Sequence, residues 1–365
     1  MSLLDTLDQK RELDSYYREN PREQAARINK IKAELGERLL IVAHHYQKDE
    51  VVQFADACGD SLQLARIAAK NHTARTIIFC GVHFMAETAD ILTADGQQVI
   101  LPDPMAGCSL ADMANVFQLR TAWDFLQQQY GDTILPITYV NSTAAIKDFV
   151  GRHGGLVVTS GNADRIVAWA LARSKHLLFL PDQHLGRNTA LKLGVPEEQI
   201  AMWQPQERRL DAARPDETRV ILWNGFCSVH RQFTVDNVRT IRKNHPDAHV
   251  IVHPECCREV VEAADQVGST AALIRIVREA PAGSRFAVGT DNNLVGRMMK
   301  WFPDKHVMFL NPISCSCILM NRIDQPHLAL AMDHLAQHRP NNVIRVAPKT
   351  AAGARKALER MFALG

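Results

Sequence analysis

The sequence predicts an α/β protein built from three similar small layers, each a parallel sheet covered by helices, in a pseudo-threefold arrangement with the active site at the common axis. Three observations lead there. First, apolar runs alternate with amphipathic ones. "LLIVAHH", "TIIFCG" and "QVILPD" read as strands, while "DEVVQFADAC", "SLQLARIAAK" and "FMAETADILT" read as helices. That alternation implies parallel strands joined by helical crossovers. Second, "HHYQKDEVVQFADACGDSLQLARI" from His44 lies over "HPECCREVVEAADQVGSTAALIRI" from His253 without a gap, with ten of 24 positions identical. The next strands also match, "TIIFCGVHFMAETA" with "RFAVGTDNNLVGRM" and "QVILPDPMAGC" with "HVMFLNPISCSC". This is duplication of one α/β unit. Third, a weaker middle copy runs through "ITYVNSTAAIKDF", "GLVVTSGNADRIVAWA" and "HLLFLPDQHLGRNTA".

In chain order these readings give a helical, solvated lead-in over 1–36 and a first α/β unit over 37–131. A second unit covers 132–218, with a surface insertion at 196–218 that breaks the pattern. A third unit covers 219–345, and a C-terminal helix covers 346–365. The 365 residues suit two to three domains at roughly 150 residues each. Hydrophobic content is 46% and charged content 22%, as in an ordinary globular enzyme. The net charge of +2 is scattered, which excludes the basic stripe of a nucleic-acid binder. No apolar run approaches the ~18 residues of a membrane span, and "MSLLDTLDQKRELDSYYREN" lacks the apolar core of a signal peptide. A cytoplasmic location with no membrane partner is expected, so the eight cysteines are read as core residues, metal ligands or catalysts rather than as a disulfide frame.

Ligands bind beyond the carboxyl ends of parallel strands. First strands end here in His44 and Tyr46, in Tyr139 to Asn141, and in His253 and Glu255. Second strands end near Thr159–Ser160 and at Thr290. Ser61 and Thr270, at matching places in the two best copies, each enter a helix, and a hydroxyl at a helix N-terminus suits an anion. A hydroxyl there is more often only a cap, and a single His or Tyr at a strand end is more often packing. Their recurrence in several units shifts that balance.

Third-strand ends bring thiols. Cys108 follows "VILPDPMAG", and Cys315 or Cys317 follows "VMFLNPIS". Cys227 follows "RVILWNGF", one strand later than strict repetition would put it. Three separate thiols without CxxC fit an iron–sulfur cube with one open iron. Zinc held by three cysteines and a histidine, and plain core packing, stay open on spacing alone. Neither GxGxxG after a strand nor GxxxxGK[ST] occurs, "HPE" lacks the PCxxC of zinc deaminases, and there is no GxSxG elbow. A zinc hydrolase or lyase and a non-catalytic repeat protein are the competing classes.

Taken together, "AHHYQ", "GDSLQLAR", "GVHFMAETADIL", "AGCSLADM", "YVNSTAAIK", "TSGNA", "LPDQHLGR", "GFCSVH", "HPE", "VGST" and a final cysteine followed by methionine resemble the quinolinate synthase family from about Leu39 to Met320. The resemblance implies three α/β domains in pseudo-threefold arrangement. It implies a transferase of NAD (pyridine nucleotide) biosynthesis that condenses iminoaspartate with dihydroxyacetone phosphate to quinolinate, releasing phosphate and water. It also implies a [4Fe-4S] cluster on three cysteines, its open iron acting as Lewis acid in the dehydration. The ligands carry over to Cys108, Cys227 and one of the CxC pair. The family's last cysteine resembles Cys-x-x-Met, which selects Cys317, with Met320 three residues on, over Cys315. Substrate-binding positions carry over to His44, Ser61, Tyr139, Val140, Asn141, Ser160, His253, Pro254, Glu255 and Thr270, with Tyr46 and Thr290 in weaker parts of the pattern. His44, Tyr46, His253 and Glu255 are the expected proton-transfer residues. Transient channelling from an iminoaspartate-producing L-aspartate oxidase or dehydrogenase is the expected partnership.

Overall fold

The structure is a computed structural model that describes residues 11–313 and 316–364. These form two compact units. One comprises the chain up to Gly107 with Ile318–Arg345, and the other comprises Cys108–Cys317 with the chain from Val346 on. Ser314 and Cys315 lie outside the described residues.

In the first unit, β1 (Leu39–His44) is flanked by β2 (Ala57–Gly59) and β3 (Thr76–Cys80), and β3 pairs with β4 (Gln98–Ile100). All three pairings are parallel. Strand β3 is buried at every position, as a strand covered on both faces must be. A last short strand, Val343–Ile344, adds antiparallel to β4. The helix Ser61–Lys70 crosses from β2 to β3 and starts on a capping box of Asp60 and Gln63. The lead-in is not wholly solvated: the helix Pro21–Leu35 buries Gln24, Ile28 and Ile31, and Gln24 meets Gln325 at 3.3 Å.

The second unit holds two sheets. In one, β5 (Ile134–Tyr139) lies between β6 (Leu156–Val158) and β7 (His176–Leu180). Next come β8 (Ile200–Gln204), β9 (Arg209–Asp211) and β10 (Val220–Trp223), in the order β6-β5-β7-β10-β8-β9. The other comprises β11 (His249–Val252), β12 (Gln266–Val267), β13 (Arg285–Gly289) and β14 (His306–Phe309), in the order β12-β11-β13-β14. The C-terminal helix Pro348–Leu364 belongs to this unit, with Gly353 so close to Gly151 that a Cβ on Gly151 would strike the Gly353 carbonyl.

The three sheets share one strand order. β2-β1-β3-β4, β6-β5-β7-β10 and β12-β11-β13-β14 are the same motif, so the expected repeat of small α/β layers is borne out. The correspondence also corrects the reading of Cys227. "ADAC" is not helix: the helix stops at Val52 and Ala57–Gly59 is a strand. With β2 and its counterpart β12 counted, β10 holds the same place as β4 and β14, and all three cysteines follow fourth strands.

Two boundaries also change. β10 bonds to β7 and β8, so a division at 218/219 cuts a sheet, and Ile318–Arg345 returns to the first unit rather than ending the third. Nor is 196–218 a mere surface insertion. β8 and β9 extend the sheet, and Trp203 is 1% exposed in a core shared with Trp123 and Trp223.

Candidate active site

Three loops of the second unit deliver the thiols. Cys108 precedes the short helix Ser109–Asp112, whose Ala111 and Leu110 N–H groups favour its thiolate form. Cys227 follows β10, and the backbone N–H of His230 favours its thiolate form. Cys317 follows β14, and its own N–H donates to Asp291 Oδ2 at 2.8 Å.

The loops are tied to one another. Ser109 and Ser228, each next to a cysteine, meet through their hydroxyls at 3.3 Å, and Trp223 Nε1 donates to Met113 O at 2.8 Å. Asn311 Nδ2 donates to Gln232 O at 3.2 Å. Gly225 must be glycine for space, since a Cβ there would stand 2.4 Å from Pro181 O.

The sulfurs feel one another. Burial pushes the Cys108 thiol up to about 12, with the charges of Cys317 and Glu255 adding to it. Cys227 is raised for the same reasons, by burial, Glu255 and Cys108. Buried thiolates close to other negative charges are unfavourable alone and favourable around a cation, so this donor set fits an iron–sulfur group. Of the other cysteines, Cys80 and Cys256 are buried and Cys58 and Cys257 half-buried.

Beside them lies a buried hydrogen-bonded network. His253 and Glu255 follow β11, and both are about 97% buried. Tyr139, at the end of β5, donates its hydroxyl to Glu255 Oε1 at 2.5 Å. His230 Nδ1 lies 3.1 Å from Glu255 Oε2 and its Nε2 3.2 Å from Thr290 Oγ1. The His230 and His253 rings stack at 4.4 Å. Glu255 N donates to His253 Nδ1 at 3.3 Å, which makes Nδ1 the acceptor and leaves the proton on Nε2.

Burial and His230 together drive His253 down to about 3, so it is neutral at physiological pH. Burial alone would raise Glu255, but His230 and His253, with hydrogen bonds from His230 and Tyr139, outweigh it and hold the carboxyl low. Asp182 goes the other way, raised well above the carboxylate range by burial and by the Glu255 charge. One buried acid is thus ionised and another neutral, the separation that acid–base chemistry uses.

Of the expected binding positions, Tyr139, His253, Glu255 and Thr290 are brought together in this network. Ser160 and Pro254 share the wall of a 470 Å³ cavity with Gly268. Val140 is buried, and Asn141 Oδ1 is buried with no hydrogen-bond partner among the described residues, an acceptor for a substrate N–H or O–H. Ser61 and Thr270 are corrected in role: the N-caps are Asp60 and Ser269, and both hydroxyl residues are the first of their helices. His44, Tyr46 and Ser61 belong to the first unit. There Tyr46 N donates to His44 Nδ1 at 3.1 Å and the rings meet edge to face at 4.7 Å.

The sequence reading passed over His230 and Asp182, although both stand in quoted motifs. The signal for His230 was its spacing, three residues after Cys227 in "GFCSVH". Cys227, His230 and Glu255 place their ligand atoms within 4.8 Å of one another.

A family model described as quinolinate synthetase A protein matches residues 26–363. The chain belongs to the quinolinate synthase family. It is 55% identical over 365 residues to a quinolinate synthase of Listeria monocytogenes serovar 1/2a, covering all of both chains. It is 57% identical over 351 residues to one of Anoxybacillus flavithermus, covering 96% of each. A Geobacillus kaustophilus quinolinate synthase is 54% identical over 366 residues, again across the whole of both chains. The buried carboxylate, the histidine pair and the thiol loops are therefore features of a quinolinate synthase-type enzyme. Among the described residues no helix is long and apolar enough to cross a membrane.

Proposed function

We propose that this enzyme condenses iminoaspartate with dihydroxyacetone phosphate to quinolinate, releasing phosphate and water, in cytoplasmic NAD biosynthesis. The observation that carries the reading is the Tyr139–Glu255–His230–His253 network beside three loops that each bring a thiol. Cys108, Cys227 and Cys317 would hold a [4Fe-4S] cluster. When bound, such a cluster supplies an iron with an open position and Lewis acidity toward an oxygen that leaves as water.

The chain's own residues do the rest. Glu255, ionised and held by two donors, accepts protons during tautomerisation. His253, neutral with its proton on Nε2, donates a hydrogen bond at that atom. Tyr139 orients Glu255 and relays a proton through its short bond. The Thr290 hydroxyl holds His230 in place. Ser61, Ser160 and Thr270 bind substrate carboxylate or phosphate oxygens, Val140, Asn141 and Pro254 supply backbone and amide contacts, and His44 and Tyr46 complete the proton transfers. Iminoaspartate hydrolyses readily, so transient delivery from an L-aspartate oxidase or dehydrogenase suits the reaction.

The test is anaerobic. Purified enzyme given both substrates should form quinolinate, and Cys108→Ala, Cys227→Ala and Cys317→Ala should each lose iron and sulfide with it. The Cys227–His230–Glu255 grouping favours a second reading, a single zinc ion. Metal without acid-labile sulfide would establish zinc and sink the cluster.

A further inference from the structure

The chain changes units at two of the thiols. It leaves the first unit after Gly107, so that Cys108 opens the second, and it re-enters the first at Ile318, directly after Cys317. Within the first unit, the two segments that lead to and from these thiols are fastened together. Asp103, 3% exposed, accepts from Arg322 Nε at 2.7 Å through Oδ2, and His327 Nε2 lies 3.6 Å from the same oxygen. The other oxygen accepts from Met105 N at 2.8 Å, and Ala106 N donates to Asp103 O at 3.0 Å, so the carboxylate also closes the turn that ends just before Gly107. His327 is itself held: its Nδ1 sits 2.7 Å from Asp324 Oδ1, and Tyr17 donates to Asp324 Oδ2 at 2.7 Å. Two neutral ties run alongside, from Asn342 Nδ2 to Pro102 O at 3.0 Å and from Gln47 Nε2 to Met320 O at 3.0 Å.

The segment Pro102–Gly107 contains no helix or strand, so no ladder of backbone bonds fixes it. Beyond one backbone bond, from His83 N to Ala106 O at 2.8 Å, its placement falls to these side chains. Among them, the pair of buried carboxylate and guanidinium is charge-assisted, which makes it stronger than the neutral ties even with the Arg322 side chain 42% exposed. Arg322 stands in the short helical turn Met320–Arg322, just past Cys317. Pulling on one side of the pair therefore moves the root of one thiol segment against the root of the other.

We propose that Asp103 and Arg322 are positioning residues whose ion pair, backed by His327, sets how Cys108 and Cys317 are presented to their metal group. The identity of that group rests on the function proposed above; the clamp itself does not. The decisive variants are Asp103→Asn, which keeps the shape, Arg322→Ala, and Arg322→Lys, which keeps the charge.

In metal-free full-length protein, iodoacetamide alkylation followed thiol by thiol by mass spectrometry should speed up roughly tenfold at Cys108 and Cys317 relative to Cys227 in the first two variants, the scale on which partners of metal ligands usually act. Arg322→Lys should restore much of the protection. In reconstituted enzyme, iron release to a chelator should accelerate by a similar factor. Unchanged ratios in folded protein would overturn the clamp, and so would a parallel rise at all three thiols, which signals general loosening. Should Arg322→Ala not fold, Asp103→Asn decides alone. Should reconstitution yield no iron–sulfur cluster, the proposed function fails while the alkylation ratios still decide the clamp.

Discussion

The segment Ile41–Ile67 of the first unit and the segment Val250–Ile276 of the second share a scaffold down to single bonds. Asp56 Oδ2 accepts from Ile41 N at 2.8 Å, and its other oxygen pairs with Lys32 at 2.6 Å. Asp265 Oδ2 accepts from Val250 N at 2.7 Å, and its other oxygen pairs with Arg242 at 2.8 Å. In both, the N–H two residues past the strand-end histidine donates to its Nδ1. The helices Ser61–Lys70 and Thr270–Glu279 begin at matching residues.

The copies diverge two residues past the histidine. The first places Tyr46 there, half-buried, and the other places Glu255, which His230 and Tyr139 close over. A common frame aims the imidazole, while the neighbouring side chains decide its chemistry.

The largest expected effect tests that divergence. Glu255→Gln keeps the volume but removes the charge and should lower kcat by about 10²–10⁴-fold, the range for a general base. Tyr46→Phe should cost only roughly tenfold, the loss of one hydrogen bond. Equal losses would mean that both copies carry the same chemical weight.

The pH dependence of stability comes next. Below the ordinary histidine value of 6.5, the unfolded chain takes up a proton that folded His253 refuses until about 3. The unfolded state then binds more protons, so stability is full above 6.5 and falls as pH drops through this window, by up to about 1.4 kcal/mol per pH unit for one group. Denaturant titrations of His253→Gln should show a flatter fall between pH 6.5 and 4. The same slope in the variant would assign the effect to other groups.

Ser61→Ala and Thr270→Ala probe the matched helix starts. Each should raise the apparent KM by about tenfold to a hundredfold, from loss of a charge-assisted bond of ~1.5–3 kcal/mol, with iron content unchanged. Ser269→Ala, at the true cap, should instead cost ~1 kcal/mol of stability. If Ser61→Ala and Thr270→Ala lower stability and leave KM alone, they support their helices rather than the ligand.

The smallest effect tests the shared frame. Asp56→Asn and Asp265→Asn retain an acceptor for the backbone N–H but lose a partly exposed ion pair, so each should destabilise by only ~0.5–1 kcal/mol, with near-normal turnover. A loss of turnover in one alone would show that the frame does different work in the two copies.

The α/β layering, the repeat and the three thiol-bearing loops are legible in the chain alone, because they rest on local period and on motifs a few residues long, while the choice of Cys317 over Cys315 rests on the family resemblance. The second copy was readable because it preserved Asp265, Gly268 and Arg275 in step with Asp56, Gly59 and Arg66. The rest needed the folded molecule. β2 and β12, three and two residues long, are too short to show a strand's alternation, so Cys227 looked displaced until sheet order restored it. Nothing local separates a hydroxyl at a cap from one just inside a helix, which is why Asp60 and Ser269 were passed over for Ser61 and Thr270. His230 is one of 15 histidines, and its role comes from Glu255 and Thr290, both far along the chain. A buried charge takes its protonation state from whatever folding packs against it, and that neighbourhood is written in no single stretch of sequence.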